Sequence, residues 1–286
     1  MAPAPDTPCA LINLTLYPIN NRTDQRAVLV EKCRQQLNED GCCHLPGFLS
    51  NEGLTAFESA AAAVAASAHR SSEVVNPYFT DDDPMLPNDH PKRHFSKRSN
   101  GFVPADCIDN NNALRQLFSW NPLTQFFADC LNVHPLFVYA DPLADVIVNV
   151  VDPGDGFPWH FDTNDFSITI MIDPADSGGY FEYAPNLREP ENENYPGVRR
   201  IIDGDHSEVR SLDLRPGDLQ IFMGRNSMHR VSTVEGEHQR RIAIYSYTRA
   251  PGMVGKPKRM QQLYGKALPI HYEQAEVAMR GDNLVD

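Results

Sequence analysis

The change of residue pattern near Leu136 constrains the fold of this chain more than any other feature. From Leu136 to Tyr247, short runs of β-branched and aromatic residues are separated by turn signals such as DPGDG, DSGG and RPGD. Short strands at this kind of spacing are typical of sandwiches and barrels. With PWHFD included, the pattern gives roughly eight strands, which predicts a jelly roll, a double-stranded β-helix of the cupin-like kind.

Helical patterns dominate the residues before this segment. TDQRAVLVEKCRQQLNED begins at a capping threonine and stops at Gly41, and the alanine-rich stretch after Ser50 begins at a capping serine. NNALRQLFSW and PLTQFFADCL have the period of two further helices, and CCHLPGFLS predicts a short strand. We therefore expect a mainly β fold with flanking helices, in which an N-terminal helical layer supports the jelly-roll core.

The chain length of 286 residues suits one decorated barrel better than two ordinary domains. We expect a single domain, 1–286, with helical support and a lid loop in 1–135, the jelly-roll core in 136–250 and a C-terminal tail in 251–286. The tail covers either the barrel mouth or a subunit interface, and the sequence does not choose between them.

An irregular, proline-containing stretch at 74–104 interrupts the helical half of the chain. It carries a basic patch made of Lys92, Arg93, Lys97 and Arg98. A loop of this length in a compact domain is commonly functional or disordered. One interpretation is a solvated loop, and the other is a lid whose arginine binds a substrate carboxylate.

Charge and composition limit the partners. The chain has 38 acidic and 25 basic residues, a formal charge of −13, which argues against nucleic acid or an anionic membrane as the main partner. The sequence contains neither a signal-peptide pattern nor a segment apolar enough to span a bilayer, and its six cysteines form no C-x-x-C pair. We expect a cytoplasmic protein with a small-molecule or protein partner, and the sequence leaves a homo-oligomer open.

His160 and Asp162 form the first part of a candidate metal site. In an extended strand, residues two apart point to the same face, so these two side chains would share one point in space. His229 opens another predicted strand further along the chain. Two histidines and one carboxylate make the facial triad of non-haem Fe(II) oxygenases, which leaves coordination positions open. The pattern therefore predicts an iron site with catalytic residues His160, Asp162 and His229.

Two arginines, Arg240 and Arg241, follow the distal histidine in RRIAIYSY. An arginine at this place could pair with a carboxylate of an iron-bound co-substrate. Strand alternation puts Arg241 on the face of Ala243 and Arg240 on the face of Ile242. Alternation alone does not say which of the two faces looks inward.

Four segments together, WHFD, GGYFEY, RPGDLQIF and HRVSTVEGEHQRRIAIYS, resemble the Fe(II)/2-oxoglutarate-dependent dioxygenase superfamily. The resemblance covers about Leu136 to Arg249 and follows that family's order of H-x-D, a distal histidine and an arginine ahead of an A-I motif. It implies Fe(II) and 2-oxoglutarate as cofactors and dioxygen as co-substrate. It also implies that Arg241, rather than Arg240, binds the 5-carboxylate of 2-oxoglutarate.

WHFDTNDF and GGYFEYAPNLREPENENY are similar to a narrower group, the free-amino-acid radical halogenases and their hydroxylase relatives. Those halogenases have glycine in place of the carboxylate ligand, whereas this chain has Asp162, so the resemblance implies hydroxylation. Many superfamily members have a tyrosine on the strand before H-x-D. This chain has NVVDPGDGF there, which makes Asn149 the candidate for the missing contact to 2-oxoglutarate.

An amino-acid substrate would need an anion for its ammonium and a cation for its carboxylate. Glu182 or Asp165 could supply the anion, and Arg98 the cation. Trp159 either lines the pocket or is a core aromatic residue. The remaining candidates for substrate binding are residues that a solvated strand and loop would explain equally well: Asn164 and Arg188.

The expected function is that of an oxidoreductase. It hydroxylates an unactivated C–H bond of a free amino acid or similar small polar metabolite, and 2-oxoglutarate becomes succinate and CO2. A first alternative keeps the cofactors and changes the substrate to a natural-product intermediate or a protein residue, with desaturation or cyclisation as other outcomes. A second alternative is a metal-binding barrel without turnover.

Overall fold

The computed structural model describes residues 8–275 and 282–285 of the chain. Helices occupy mainly the N-terminal half and the C-terminal tail. Within the described residues the helices are α1 (Asp24–Asp40), α2 (Asn51–Val64), α3 (Ala113–Phe118), α4 (Asn121–Leu131), α5 (Tyr195–Ile202), α6 (Pro257–Tyr264) and α7 (Pro269–Glu273).

Strands occupy most of the segment in which the sequence alternates, and three more precede it. They are β1 (Cys42–Leu45), β2 (His69–Val75), β3 (Ser96–Val103), β4 (Phe137–Val138), β5 (Val146–Val151), β6 (Phe157–His160), β7 (Phe166–Asp173), β8 (Ser177–Gly178), β9 (Phe181–Ala184), β10 (Arg210–Leu212), β11 (Leu219–Phe222), β12 (Met228–Val231), β13 (Val234–Glu235) and β14 (Arg240–Thr248). Each alternating run from Leu136 to Tyr247 contains one of these strands.

Two antiparallel sheets form the core. The larger has the order β1-β11-β7-β14-β5-β3-β2, with β4 paired to β14, and the smaller has the order β10-β9-β12-β6. A two-stranded ribbon of β8 and β13 accompanies them. The predicted fold class, a mainly β jelly roll supported by helices, is confirmed.

One face of the large sheet forms the main hydrophobic core with the N-terminal helices. Val146, Val148 and Val150 of β5 are fully buried in this core, together with Phe57 of α2 and Phe126 of α4. Burying each such side chain contributes about 1.5–3 kcal/mol relative to leaving it exposed. The alternation of β5 therefore holds this face of the sheet against the helices.

The opposite face of the large sheet turns its side chains toward a cavity. Ile147 and Asn149 of β5, Thr169 of β7, Gln220 of β11 and Ile242 of β14 all line it. These residues alternate with those of the hydrophobic core along each strand. The period of two thus decides which side chains are available to a ligand.

The predicted starts of the first two helices are confirmed by their caps. The Thr23 hydroxyl accepts a hydrogen bond from the Arg26 N–H at 3.2 Å, and the Ser50 hydroxyl accepts one from the Gly53 N–H at 2.9 Å. These bonds satisfy donors that the first helical turn leaves free. Helix α1 ends at Gly41, whose φ of 61° suits glycine.

The prediction that the stretch 74–104 is irregular throughout is wrong. The stretch contains the end of β2 and all of β3, so the loop proper covers only 76–95. The cause is that β3 buries polar side chains, Arg98 and Asn100, which hide the apolar alternation of a strand. The first 135 residues therefore supply three strands of the large sheet in addition to helices.

The C-terminal tail lies at the cavity. Met260, Leu263 and Tyr264 of α6 are among its lining residues. The segment before α6 is joined to the barrel because the Ala140 N–H donates to the Met253 carbonyl at 3.0 Å. Of the two positions that the sequence left open for the tail, the described residues occupy the one at the barrel mouth. No helix in the described ranges has the length and apolar character needed to cross a membrane.

Candidate active site

The structure brings His160, Asp162 and His229 together. His160 at the end of β6 is directly opposite His229 of β12, with ring centroids 4.1 Å apart. Asp162 Oδ1 is 3.8 Å from His160 Nε2 and 3.4 Å from His229 Nε2. Histidine, cysteine, aspartate and glutamate side chains are the usual metal ligands. Within the described part of the chain, these three residues are the one group of such side chains whose ligand atoms lie close enough together to hold a metal ion.

Asp162 reaches this cluster from a loop, although the sequence pattern predicted that Asp162 and His160 lie in one extended strand. Strand β6 ends at His160. The loop is held because the Asp162 N–H donates to the Gly224 carbonyl at 3.0 Å, and the Ser167 hydroxyl donates to Asp162 Oδ2 at 2.5 Å. A Cβ added at Gly224 would lie 2.0 Å from Asp162 Oδ2, so a larger residue there would displace the carboxylate.

Backbone carbonyls set the tautomer of both histidines. His160 Nδ1 is 2.8 Å from the Pro158 carbonyl oxygen, and His229 Nδ1 is 3.0 Å from that of Ser227. A carbonyl only accepts hydrogen bonds, so Nδ1 carries the proton in each ring. The Nε2 lone pairs, which face Asp162, are left for a metal.

The charges of the cluster suit a cation. Burial, and then the neighbouring His229, lower the pKa of His160 well below its usual value. Burial alone would raise the pKa of Asp162, but His229, His160 and the Ser167 hydroxyl together hold it well below its usual range. A neutral imidazole and an ionised carboxylate are the protonation states that metal ligands need.

A cavity of about 790 Å³ contains the triad. This volume is within the range of about 300–1,000 Å³ that is usual for ligand sites. Its walls come from the inner face of the large sheet, from the loop 76–95 and from α6. Much of the lining is aromatic or aliphatic, including Phe79, Phe157, Ile244 and Leu263.

Arg240, and not Arg241, lines this cavity, whereas the family resemblance implied Arg241 as the residue that binds 2-oxoglutarate. Arg241 Nε lies 2.8 Å from Asp173 Oδ2, outside the cavity, at a point where β14 and β7 shift register. Arg241 is on the strand face of Ala243, which packs in the hydrophobic core, whereas Arg240 is on the face of Ile242.

The Arg240 guanidinium has the surroundings of an anion-binding group. The side chain is 1% exposed, and its Nε and Nη1 have no hydrogen-bond partner in the structure. Burial lowers its pKa to about 10, so it is still charged at neutral pH. A buried, unpaired cation is costly, and an anionic ligand would remove that cost.

Two other predicted residues, Asn149 and Asn164, also line the cavity. Each already donates a hydrogen bond from Nδ2 to a backbone carbonyl, Asn149 to Gly101 at 3.0 Å and Asn164 to Tyr247 at 3.1 Å. Asn149 keeps its second N–H and its Oδ1 for a ligand, whereas Asn164 Oδ1 already accepts a hydrogen bond from the Asp165 N–H at 3.1 Å.

The predicted substrate residues Arg98 and Arg188 lie outside the cavity. Arg98 donates to Asn100 Oδ1 at 2.8 Å and to Ser71 Oγ at 2.5 Å. Arg188 donates to the Arg225 carbonyl at 2.6 Å, and its guanidinium lies 4.0 Å from the centroid of the Phe161 ring. Both are buried and engaged with the protein itself, so the geometry does not support a substrate role for them.

Trp159, Glu182 and Asp165 also lie outside the cavity lining. The Arg230 guanidinium covers the Trp159 ring at 4.7 Å and donates to Glu182 Oε2 at 2.7 Å. Trp159 is adjacent to His160, and Glu182 to the cavity residue Phe181, so strand alternation turns both away from the metal cluster. Asp165 Oδ2 is 3.9 Å from Arg249 Nε.

Several cavity residues were not identified from the sequence. Thr169 Oγ1 donates to Gln220 Oε1 at 3.0 Å, which joins β7 to β11 across the cavity wall. Both residues interrupt apolar strands, SITIMI and DLQIFM, and a polar residue on the inner face of a barrel strand is a usable signal. Arg259 of α6 also lines the cavity, and no local pattern indicates its position.

The donor set leaves more than one metal open on chemical grounds, because two histidines and a carboxylate also bind catalytic zinc. A comparison with known protein families identifies the family of the chain. The family model Halogenase D matches residues 25–253, which is most of the chain. No curated protein sequence matches the chain significantly.

Solved structures at low sequence identity have the same fold, and they include a member of the 2OG-Fe(II) oxygenase family. An oxidoreductase of the 2OG-Fe(II) oxygenase family from Burkholderia pseudomallei has 16% identity and a TM-score of 0.52, over 80% of this chain and 93% of that one. The alpha-ketoglutarate-dependent carbocyclase SnoK from nogalamycin biosynthesis has 16% identity and a TM-score of 0.54, over 80% and 85%. HygX from Streptomyces hygroscopicus, solved with nickel, 2-oxoglutarate and hygromycin B, has 12% identity and a TM-score of 0.51, over 80% and 88%.

These findings confirm the predicted relation to Fe(II)/2-oxoglutarate-dependent oxygenases and to the amino-acid halogenases within them. The enzyme class, an oxidoreductase, is confirmed, and the cluster of His160, Asp162 and His229 has the donor set that the expected Fe(II) requires. The chain belongs to the Halogenase D family and has the fold of the 2OG-Fe(II) oxygenases.

Proposed function

We propose that the enzyme hydroxylates an unactivated C–H bond of a free amino acid or a similar small metabolite, while 2-oxoglutarate is converted to succinate and CO2. The observation that carries this proposal is Asp162, a carboxylate ligand inside the metal cluster of a Halogenase D family member. A carboxylate at this position occupies the space in which related halogenases accommodate chloride. Hydroxylation is then the outcome that the ligand set favours.

The residues present fit the cofactors. His160, Asp162 and His229 would hold Fe(II), which together with 2-oxoglutarate and dioxygen supplies the oxidising power for C–H hydroxylation. Arg240 would pair with the distal carboxylate of 2-oxoglutarate, because its buried Nε and Nη1 have no other partner. Ser167 fixes the Asp162 carboxylate by its hydrogen bond.

The apolar part of the cavity has a separate task. Phe157, Phe181 and Phe222 line the cavity beside the histidines, with Phe157 at 4.1 Å from the His160 ring and Phe222 at 4.8 Å from the His229 ring. Such walls exclude water from the metal ligands and orient an aliphatic C–H bond by contact alone. Specificity for the carbon attacked would come from this packing.

A second candidate substrate is a larger natural-product intermediate, with desaturation or ring closure as other outcomes. It is favoured by the cavity volume of about 790 Å³, which exceeds the needs of a small amino acid beside 2-oxoglutarate. Proteins of the same fold include a carbocyclase and one solved with hygromycin B. The product distinguishes these outcomes, because hydroxylation adds one oxygen atom and desaturation or cyclisation removes two hydrogens.

The test is succinate formation from 2-oxoglutarate in the presence of Fe(II) and single amino acids, with mass analysis of each amino acid. The proposal predicts succinate formation above the background rate, coupled to the gain of one oxygen atom in at least one amino acid. Arg188→Lys is the control variant. Arg188 is a predicted substrate residue that lies outside the cavity, so the folded Arg188→Lys protein should keep this activity. Background succinate with every amino acid unchanged would contradict the amino-acid substrate and favour the second candidate.

A further inference from the structure

A second arginine, Arg259, faces the cavity from α6. Its guanidinium carbon lies 3.7 Å from the centroid of the Phe79 ring, and Nη1 donates to Gln262 Oε1 at 2.7 Å. Arg259 and the three metal ligands line the same cavity. The part of the chain that the structure describes offers Arg259 no ion pair, since its polar contact is to a neutral amide.

The acidic residues near Arg259 already have partners. Asp81 pairs with Lys258 at 2.6 Å, and Asp82 pairs with Arg93 at 3.0 Å. Glu73 accepts a hydrogen bond from Gln262. Asp81 and Asp82 are therefore paired with other cations, and the Gln262 amide lies between Arg259 and Glu73.

Burial and neighbouring charges determine the pKa of Arg259. Burial, and then repulsion by Arg98, lower the pKa of Arg259 to about 9, while Tyr264, Asp162 and Glu73 act in the opposite direction. At neutral pH Arg259 is therefore a cation that faces the cavity of the candidate iron site.

The cavity thus contains two arginines on different elements, Arg240 on β14 and Arg259 on α6. Under the proposed function, the cavity binds two anionic groups near the metal. One is the distal carboxylate of 2-oxoglutarate, and the other is an anionic group of the substrate. Arg240 is the more buried of the two and belongs to the barrel wall, which suits the co-substrate. Arg259 belongs to the barrel mouth, where the substrate must enter.

We propose that Arg259 is a specificity-determining residue that binds a carboxylate of the substrate and so selects acids with an apolar body. The body would lie against the aromatic and aliphatic lining that includes Phe79 and Leu263. Among the described lining residues, the carboxylates are Asp81, Asp82 and Asp162, all of them engaged, so a substrate ammonium meets no free anion. This inference rests on the proposed function and, among the small metabolites that the function allows, favours carboxylic acids without an ammonium group over amino acids.

The experiment compares two acids with their amides, 3-phenylpropanoate with 3-phenylpropanamide and 4-methylpentanoate with 4-methylpentanamide. Binding is measured in two ways with saturating 2-oxoglutarate, by the change in the visible charge-transfer band of the anaerobic Fe(II) protein and by the thermal shift of the Zn(II) protein. The variants are Arg259→Gln, Arg259→Lys and Lys266→Gln. Lys266 is the matched control, because it pairs with Asp106 outside the cavity at 2.6 Å.

The inference predicts that the wild type binds each acid at least about tenfold more tightly than its amide, as expected for one charge-assisted hydrogen bond. Arg259→Gln removes this preference, Arg259→Lys retains part of it, and Lys266→Gln leaves it unchanged. Equal binding of acids and amides by the wild type, or an acid preference that survives in Arg259→Gln, overturns the inference. An absent charge-transfer band counts against the proposed function instead, and the thermal shift still reports on Arg259.

Discussion

Arg240 and Arg241 are neighbours in the chain, yet only Arg240 faces the cavity of the metal cluster, while Arg241 pairs with Asp173 at 2.8 Å. The two side chains leave β14 on opposite faces. The relationship separates two roles, because Arg240 has no ion pair among the described residues, whereas Arg241 pairs with a carboxylate of β7.

The first prediction follows from this separation. Arg240→Gln should weaken 2-oxoglutarate binding by about 10- to 100-fold, the value of losing a charge-assisted, bidentate contact. Arg241→Gln is the neighbouring control and should bind 2-oxoglutarate like the wild type. The measurement is a titration of the anaerobic Fe(II) protein with 2-oxoglutarate. A weaker affinity in Arg241→Gln than in Arg240→Gln would restore the assignment that the family resemblance implied.

The second prediction concerns the space beside Asp162. Gly224→Ala should lower Fe(II) affinity by about 10- to 100-fold, as is typical when a ligand loses its support, because the added methyl would overlap Asp162 Oδ2. Ser167→Ala removes a hydrogen bond from the same oxygen without adding bulk, and its effect should be smaller. Metal affinity is measured by competition with a chelator. Unchanged affinity in Gly224→Ala would show that the carboxylate is not held where the structure places it.

The third prediction concerns the attachment of α6 to the barrel. Asp141 Oδ2 accepts a hydrogen bond from the Gly255 N–H at 2.8 Å and lies 3.1 Å from Nε2 of the buried His271. Asp141→Ala leaves these donors unpaired, at a cost of about 1–3 kcal/mol. We expect a lower midpoint of thermal unfolding and faster amide exchange in 253–264.

The control for this attachment is Asp106→Ala, which breaks a partly exposed ion pair with Lys266. Exposed pairs of this kind contribute about 0–1 kcal/mol, so its effect on unfolding should be much smaller. If both variants unfold alike, Asp141 is not the residue that holds the segment before α6 in place.

The fourth prediction concerns metal-linked stability. A ligand that binds only the folded state stabilises it by about 2.7 kcal/mol at a concentration of 100 times its dissociation constant. Removing the metal with a chelator should therefore lower the unfolding temperature of the wild type, and His229→Ala should lose this dependence. His44→Ala is the matched control, because His44 pairs with Asp218 at 2.8 Å away from the cavity. A metal-dependent shift that persists in His229→Ala would place the metal elsewhere.

Most strand positions could be predicted from the sequence because the period of two is visible in the runs that contain them. The two-residue β8 lies in DSGG, which the sequence predicts as a turn. Which face looks inward could not be predicted for β14. Its residues on both faces are largely buried, Ala243 and Tyr245 under the helices and Ile242 toward the cavity, so neither face is marked by polar residues. The choice between Arg240 and Arg241 therefore required the register with β5 and β7.

The cluster of His160, Asp162 and His229 could be predicted because H-x-D and a distal histidine keep their order in the chain. Which arginines line the cavity could not be predicted, because their positions depend on contacts between distant segments. Arg98 belongs to a polar, basic stretch of the kind found in lid loops, but it lies in β3. Arg259 belongs to a C-terminal tail that has no recognisable motif. Burial of polar side chains in β3 and docking of α6 over the cavity are both consequences of tertiary packing.

The most direct test of the central claim is anaerobic addition of Fe(II) and 2-oxoglutarate, with the visible metal-to-ligand charge-transfer band as the readout in the wild type, Asp162→Ala and Arg240→Gln. The account predicts a band in the wild type, its loss or marked weakening in Asp162→Ala, and a band in Arg240→Gln that needs far more 2-oxoglutarate. A folded, metal-loaded wild-type protein that shows no band at any 2-oxoglutarate concentration would contradict it.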